Sequence, residues 1–247
     1  MSIIYKTAGR AKEYCNLAVN LYRGCSHGCI YCWGPQVLKI NRAEFVNEPK
    51  PRENILERLA KECMGFPNFP EKKESVLLSF TSDPYQLLND SLSLTRKAIK
   101  MLKNAGYSIM LLSKAGKKAE QDFDLLDAGD SVGATLTFID EGDSLKWEPA
   151  ASLPAERFAM LKNAKNKGIG TWASLEPVIE PEQTLGIVEL THEFVDIYKV
   201  GTLNYHSGKN LINWREFALR IKEILNKYNC DYYIKNDLQK YLSTTAT

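Results

Sequence analysis

The 247-residue chain contains no apolar run long enough to cross a bilayer, and its opening residues, Met1-Ser2-Ile3-Ile4-Tyr5-Lys6, lack a long apolar stretch. The expectation is therefore a soluble, cytoplasmic protein. An excess of one charge is also missing: 32 Lys and Arg stand against 30 Asp and Glu, a formal net charge of +2. Composition therefore neither demands nor excludes a nucleic-acid partner. No Ser- or Gly-rich linker, low-complexity tract or composition break divides the chain. The expectation is a single domain over 1–247, with a core of about 16–228 and a short C-terminal extension, 229–247. At 44% hydrophobic residues it can fill one sizeable core. Finally, the six cysteines do not form a disulfide framework, because Cys15, Cys63 and Cys230 are scattered.

The other three are not scattered. Cys25-Ser26-His27-Gly28-Cys29-Ile30-Tyr31-Cys32-Trp33 places three thiols within eight residues, and clustered thiols in a reducing compartment point to metal. An iron-sulfur cubane normally takes four thiolates, so three leave one iron open for another ligand. The competing reading is a Cys3His zinc site completed by His27 or His206. His27 lies between two of the cysteines, too close in sequence for easy tetrahedral closure. No second cysteine cluster follows, so one metal cluster is the limit.

Beyond this loop, short β-branched runs alternate with amphipathic stretches, the pattern of βα units around a parallel sheet. Strands are expected at 16–23, 76–81, 107–113, 131–138, 170–175 and 195–201. Helices are expected at 51–63, stopped by Gly65, and at 93–105, 119–126, 154–167, 181–193 and 211–228. The last presents Leu211, Trp214, Phe217, Ala218, Ile221, Ile224 and Leu225 on one face. Polar residues recur at the strand ends: Thr81-Ser82-Asp83-Pro84, Lys114, Thr135, Glu176, and Lys199 with Gly201 and Thr202. Active sites of α/β barrels sit at that end. Lys199 has Glu176, a cofactor or solvent as possible partners. Trp147, in the polar stretch 140–149, is a candidate for a loop over the groove.

The C-x3-C-x2-C spacing, with an aromatic before the last cysteine, resembles the signature of the radical S-adenosylmethionine (SAM) enzymes. With Thr81-Ser82-Asp83-Pro84, and with Ser113-Lys114 ahead of Asp122-Phe123-Asp124-Leu125-Leu126, it is similar to the spore photoproduct lyase-like group. The resemblance implies an α/β fold, a partial (β/α)6 TIM-type barrel that is open and admits a bulky substrate. It implies a [4Fe-4S] cluster on Cys25, Cys29 and Cys32, with SAM chelating the open iron and cleaved to a 5'-deoxyadenosyl radical that abstracts hydrogen from a substrate. Ser82 and Asp83 would lie near the SAM amino group and ribose. Lys114, helped by Thr135, would pair with the SAM carboxylate, Tyr31 would approach the adenine, and Gly201 would let the backbone do the same. Glu176 would cap a loop or face the bound molecules. A flavodoxin- or ferredoxin-type electron donor is implied; nucleic acid as substrate follows by analogy only, and a monomer or weak dimer is expected.

One position departs from the group. Where its lyases carry a hydrogen-donating cysteine, just before Thr-Ser-Asp, this chain has Phe80, and a phenyl ring cannot donate. Cys230, Tyr85 and Tyr205 are the candidates for that role. The rival function is a non-enzymatic zinc or iron-sulfur module acting through a partner or nucleic acid.

Overall fold

The computed structural model describes residues 2–64, 74–204 and 206–243. Eight strands form one sheet: β1 (Tyr5–Lys6), β2 (Leu17–Val19), β3 (Ser75–Leu78), β4 (Ser108–Ser113), β5 (Ser131–Thr135), β6 (Gly170–Leu175), β7 (Ile197–Val200) and β8 (Asp231–Ile234), in that spatial order. β1 pairs antiparallel with β2, and every other pair is parallel. The main helices are α1 (Ile55–Met64), α2 (Leu94–Asn104), α3 (Pro154–Asn166), α4 (Pro181–Thr191), α5 (Trp214–Lys227) and α6 (Asn236–Ser243). This is the expected partial barrel, with an extra strand at each edge.

Strand alternation separates two interiors. Val19, Leu78, Leu111, Ala134, Leu175 and Val200 face outward into the main core beneath the helices. Ala18, Leu77 and Trp172 face inward, where Tyr14, Phe80, Met110 and Leu112 pack on them. Gly133 makes room for this layer, since a Cβ there would lie 2.1 Å from the Trp172 indole. Trp172 thus closes the floor of the barrel, and the space above it stays open. Helix ends follow local chemistry: Pro154 occupies the first turn of α3, and the Asn213 side chain accepts the backbone N–H of Glu216 at the start of α5.

Several expectations change. The strand expected over 16–23 splits, because Tyr22–Arg23 leaves the sheet to pair with Lys50–Pro51. Residues 119–125 lie in a 3-10 segment, Gly116–Leu125, rather than an α-helix, and Leu126 is extended. Leu211 is 88% exposed in a separate 3-10 turn and takes no part in the α5 face. The stretch with Trp147 is helical (Glu141–Trp147), and its indole packs against His206 with ring centroids 5.1 Å apart. Gly65 lies outside the described residues. The C-terminal extension supplies β8, which is only four residues long and buries only Ile234, so no apolar run marks it. At the opposite edge, the turn Gly9–Glu13 bridges from β1 to β8: Glu13 Oε1 accepts Asn236 N–H at 2.7 Å and the Tyr233 hydroxyl at 3.3 Å. Lys199 donates to the carbonyls of Glu13 and Tyr14 at 2.9 and 2.8 Å, and these are its partners instead of Glu176. Among the described residues no helix is long and apolar enough to cross a membrane.

Candidate functional site

The C-terminal strand ends open onto a cavity of about 500 Å³ with two chemically different walls. The first wall is the cysteine loop. Gly24, at φ +91°, lets the loop pass Phe45, whose carbonyl oxygen would be 2.7 Å from any Cβ there. That carbonyl accepts Cys25 N–H at 2.8 Å, while Gln86 accepts Ser26 N–H at 3.0 Å and donates to Gly24 O at 3.1 Å. Arg42 donates to the carbonyls of Gly28 and Cys29. Cys25, Cys29 and Cys32 are free thiols that all line the cavity. Asp83 N–H reaches Cys25 Sγ and Gly34 N–H reaches Cys32 Sγ, each at 3.4 Å. Burial pushes the Cys29 thiol up to about 12, with Lys114 pulling the other way.

Beside the loop, the Asp83 carboxylate works as a knot. It accepts Ser113 Oγ at 2.9 Å, Tyr85 N–H at 2.8 Å and Lys114 N–H at 2.6 Å, and His27 Nδ1 lies 3.5 Å away. Asp83 therefore ties β3, β4 and the loop together, and its oxygens are not left open for a ribose. Ser82 lines the cavity, and its buried Oγ has no hydrogen-bond partner among the described residues. The Lys114 ammonium sits 5.7 Å from the Tyr31 ring centroid. Burial draws its pKa down, but Cys29 and Glu148 outweigh that and raise it, so the side chain is a firm cation. Thr135 lines the same space.

Two residues here had no signal in the sequence. Glu148 and Arg157 form a buried ion pair at 2.6 Å, Arg157 also donates to Thr135 O at 3.1 Å, and the Tyr31 hydroxyl donates to Glu148. Burial raises the Glu148 pKa, while Arg157 and Lys114 more than offset this and leave it lowered. The pair holds Tyr31 from behind. Neither residue lies in a motif, and the contact spans helix α3 and the turn before it.

The second wall is built around Glu176. It accepts Asn204 Nδ2 and the Tyr14 hydroxyl, each at 2.8 Å, and pairs with the buried Lys235. Asp237 accepts Thr202 Oγ1 at 2.7 Å and Asn204 Nδ2 at 3.0 Å, with Arg10 at 3.6 Å. Gly201 was expected to face the adenine; instead the Glu176 side chain fills the space above it, with Cδ 2.9 Å from a built Cβ. Lys235, Asp237, Asn204 and Tyr14 are additions that only the fold supplies, because β8 and the N-terminal turn carry no recognisable pattern.

Two of the candidate hydrogen donors, Tyr85 and Cys230, do not line this space. Tyr85 N–H turns back onto Asp83, and its ring is buried in the outer core beside Asp122. Cys230 precedes β8, at the strand end remote from the cavity, and is half-buried against the outer core. Tyr205 lies outside the described residues. Phe80 does line the cavity. Of the histidines offered for zinc, His27 lines the cavity with its Nδ1 3.5 Å from Asp83, and His206 accepts Gly208 N–H at 3.1 Å outside the lining. Among the described residues, no three His, Cys, Asp or Glu side chains converge on a single-ion point; a cubane makes a different demand, one thiolate per iron.

A sequence profile of the Radical SAM superfamily matches residues 19–195. "Uncharacterized protein Rv2578c" of Mycobacterium tuberculosis is 27% identical over 170 residues, 65% of this chain and 49% of that protein, so the chain spans about half the length of this relative. "Uncharacterized protein ORF301" of Acidianus two-tailed virus is 26% identical over 250 residues, covering 86% of this chain and 80% of the other. In fold, a point mutant of spore photoproduct lyase superposes with a TM-score of 0.71 at 12% identity, covering 94% of this chain and 80% of that one. A double mutant of the same lyase with bound AdoMet and dinucleoside spore photoproduct gives 0.70 at 12%, covering 92% and 78%. Streptococcus suis SuiB bound to S-adenosylmethionine gives 0.59 at 13%, covering 93% and 53%.

Proposed function

The chain belongs to the radical SAM superfamily, and on that premise we propose that it is an enzyme holding a [4Fe-4S] cluster on Cys25, Cys29 and Cys32, with SAM in the cavity beside them. The observation that carries this is the first wall: three free thiols, the Lys114 cation and Ser82, whose hydroxyl has no partner among the described residues, all line one cavity. When bound, the reduced cluster supplies the electron that cleaves SAM to a 5'-deoxyadenosyl radical, for hydrogen abstraction from a substrate. The chain's own residues do the rest. Backbone N–H groups of Asp83 and Gly34 orient two sulfurs. Lys114 faces the SAM carboxylate as a compact cation, and Ser82 offers its hydroxyl to the amino group. Tyr31, held by Glu148, forms the rim toward the adenine. The surrounding apolar walls exclude water from a reactive species.

A flavodoxin- or ferredoxin-type reductant is the proposed electron source. The second wall takes the substrate, a molecule large enough to require an open barrel. Dinucleoside photoproduct, bound by the similar lyase, is not adopted as the substrate, because Phe80 removes the thiol that the lyase route needs. The test is anaerobic reconstitution with iron and sulfide. About four irons per chain, and 5'-deoxyadenosine after reduction with SAM, are expected. Stoichiometric zinc without SAM cleavage would overturn the reading in favour of a binding module.

A further inference from the structure

Next to the cysteine loop lies a two-stranded ribbon that the cavity chemistry does not use. Tyr22–Arg23 pairs antiparallel with Lys50–Pro51, with Arg23 directly opposite Lys50. Directly opposed residues share one side of a ribbon, and Arg52, two residues beyond Lys50 and tied to Leu21 O by its N–H at 2.9 Å, returns to that side. Three cations therefore gather on one face, and like charges placed opposite one another cost stability. Burial lowers the Arg52 pKa, Tyr5 pulls the other way, and Arg23 and Arg58 lower it further, so the charged neighbours of this guanidinium are themselves cations. Its buried Nε has no hydrogen-bond partner among the described residues. Lys50 meets Glu44 at 3.9 Å, while Arg23, Lys39 and Arg52 form no ion pair among the described residues. The exposed Glu48, Glu53 and Glu57 pair with none of them.

The ribbon is joined to the loop at both ends. Arg23 stands two residues before Cys25, a backbone step of about 7 Å. Its guanidinium donates to Leu38 O at 3.4 Å, at the end of the short helix Gly34–Leu38 that follows Cys32. Cys32 is the half-buried thiol of the three, whereas Cys25 and Cys29 are buried. On this helix Val37 is 55% exposed, and the exposed Lys39 caps its end. The wall proposed for the substrate stands elsewhere, on β6 and beyond β8.

From this placement we infer that the ribbon and the helix Gly34–Leu38 form the docking face for an acidic one-electron carrier protein of the flavodoxin class. The inference rests on the radical reading above. Charge complementarity selects the occupant: an acidic partner neutralises Arg23, Lys39, Lys50 and Arg52, and Val37 gives the contact an apolar centre within a basic rim. A polyanionic substrate would meet the same cations, but it needs the barrel mouth, whereas these cations gather beside Cys25 and Cys32. In each encounter the carrier is oxidised by one electron and the bound cluster is reduced by one, with no bond or proton exchanged. A small interface suits such a transient redox encounter, and exposed cations steer it fastest at low salt.

The experiment compares two electron sources on the reconstituted full chain with SAM: photoreduced flavodoxin, which must dock, and dithionite, which need not. 5'-Deoxyadenosine formation is followed against flavodoxin concentration. Reversing two exposed charges, Lys39→Glu with Lys50→Glu, should lower kcat/KM for flavodoxin by at least about ten-fold, while iron content and the dithionite rate are unchanged. A control with the same change in net charge on the exposed side of α3, Lys162→Glu with Lys167→Glu, should keep the flavodoxin rate. Raising salt to about 0.3 M should bring the wild type down toward the reversed variant. An unchanged flavodoxin rate in the reversed variant, an equal loss with dithionite, an equal loss in the α3 control, or a wild type that accepts electrons from dithionite and not from flavodoxin would overturn the inference alone. So would reversal that weakens binding of a single-stranded oligonucleotide and leaves flavodoxin untouched, which would give the face to a polyanion. No 5'-deoxyadenosine from the wild type with either source overturns the radical reading as well.

Discussion

The two walls of the cavity are built on opposite principles. The cysteine wall comes from three short segments, 24–34, 79–86 and 113–114, tied by backbone hydrogen bonds and by the Asp83 knot. The Glu176 wall gathers single residues from the N-terminal turn, β6, the segment after β7 and the start of α6, tied to one another by side-chain contacts between distant segments. A wall made of short segments declares itself in sequence, and one made of scattered residues does not. On the proposed reading the first wall holds the cofactor and the second, with its paired charges and aromatic lining, faces the substrate.

The sharpest way to break this contrast is Cys29→Ala. Iron should fall from about four per chain to a small residue, and 5'-deoxyadenosine should drop by more than about 100-fold; retained cleavage would mean that the first wall is not the cofactor wall. Lys235→Met acts on the other side. It leaves the half-buried Glu176 without its cation, so stability should fall by about 1–3 kcal/mol in urea unfolding while iron is still bound. Lys114→Met is of similar size. Losing a charge-assisted contact of about 1.5–3 kcal/mol should weaken SAM binding roughly 10- to 100-fold with iron content unchanged, as calorimetry or equilibrium dialysis can read. Equal SAM affinity would move the carboxylate elsewhere.

The smallest effect concerns acid. Burial alone would raise the Asp237 pKa, but hydrogen bonds from Asn204 and Thr202, with Lys235 and Arg10 nearby, lower it below 3.8. A depressed carboxylate contributes stability that is complete above its unfolded pKa and is lost as pH falls through the folded value. Asp237→Asn should therefore flatten the acid limb of stability below about pH 4 by no more than about 1 kcal/mol, measured as the unfolding midpoint against pH. An unchanged slope would mean that the second wall is not held by this carboxylate.

Legibility followed the range of the interactions. The βα order was readable because each helix buries its own apolar face against its own strand, which leaves a local period in the chain. The cysteine loop was readable because its ligands are near neighbours. Tyr85 and Cys230 misled because their direction depends on where the chain turns: Tyr85 N–H bonds back to Asp83, and Cys230 sits at the wrong end of β8. Gly201 misled because a missing side chain does not say what fills the gap, and here Glu176 does. Strand β8 was missed because its stability comes from pairing with β7 rather than from its own residues.

By itself, then, the sequence determined the parallel αβ architecture, the three-thiol loop, and the set of polar residues at the strand ends. Only the tertiary structure decided that Asp83 is a knot, that Glu148 and Arg157 stand behind Tyr31, and that Tyr14, Glu176 and Lys235 meet across the barrel mouth. The physical reason is separation. Contacts within one turn or one βα unit are written in spacing, whereas contacts between residues such as Tyr14 and Lys235 arise only when sheet closure brings the two edges together.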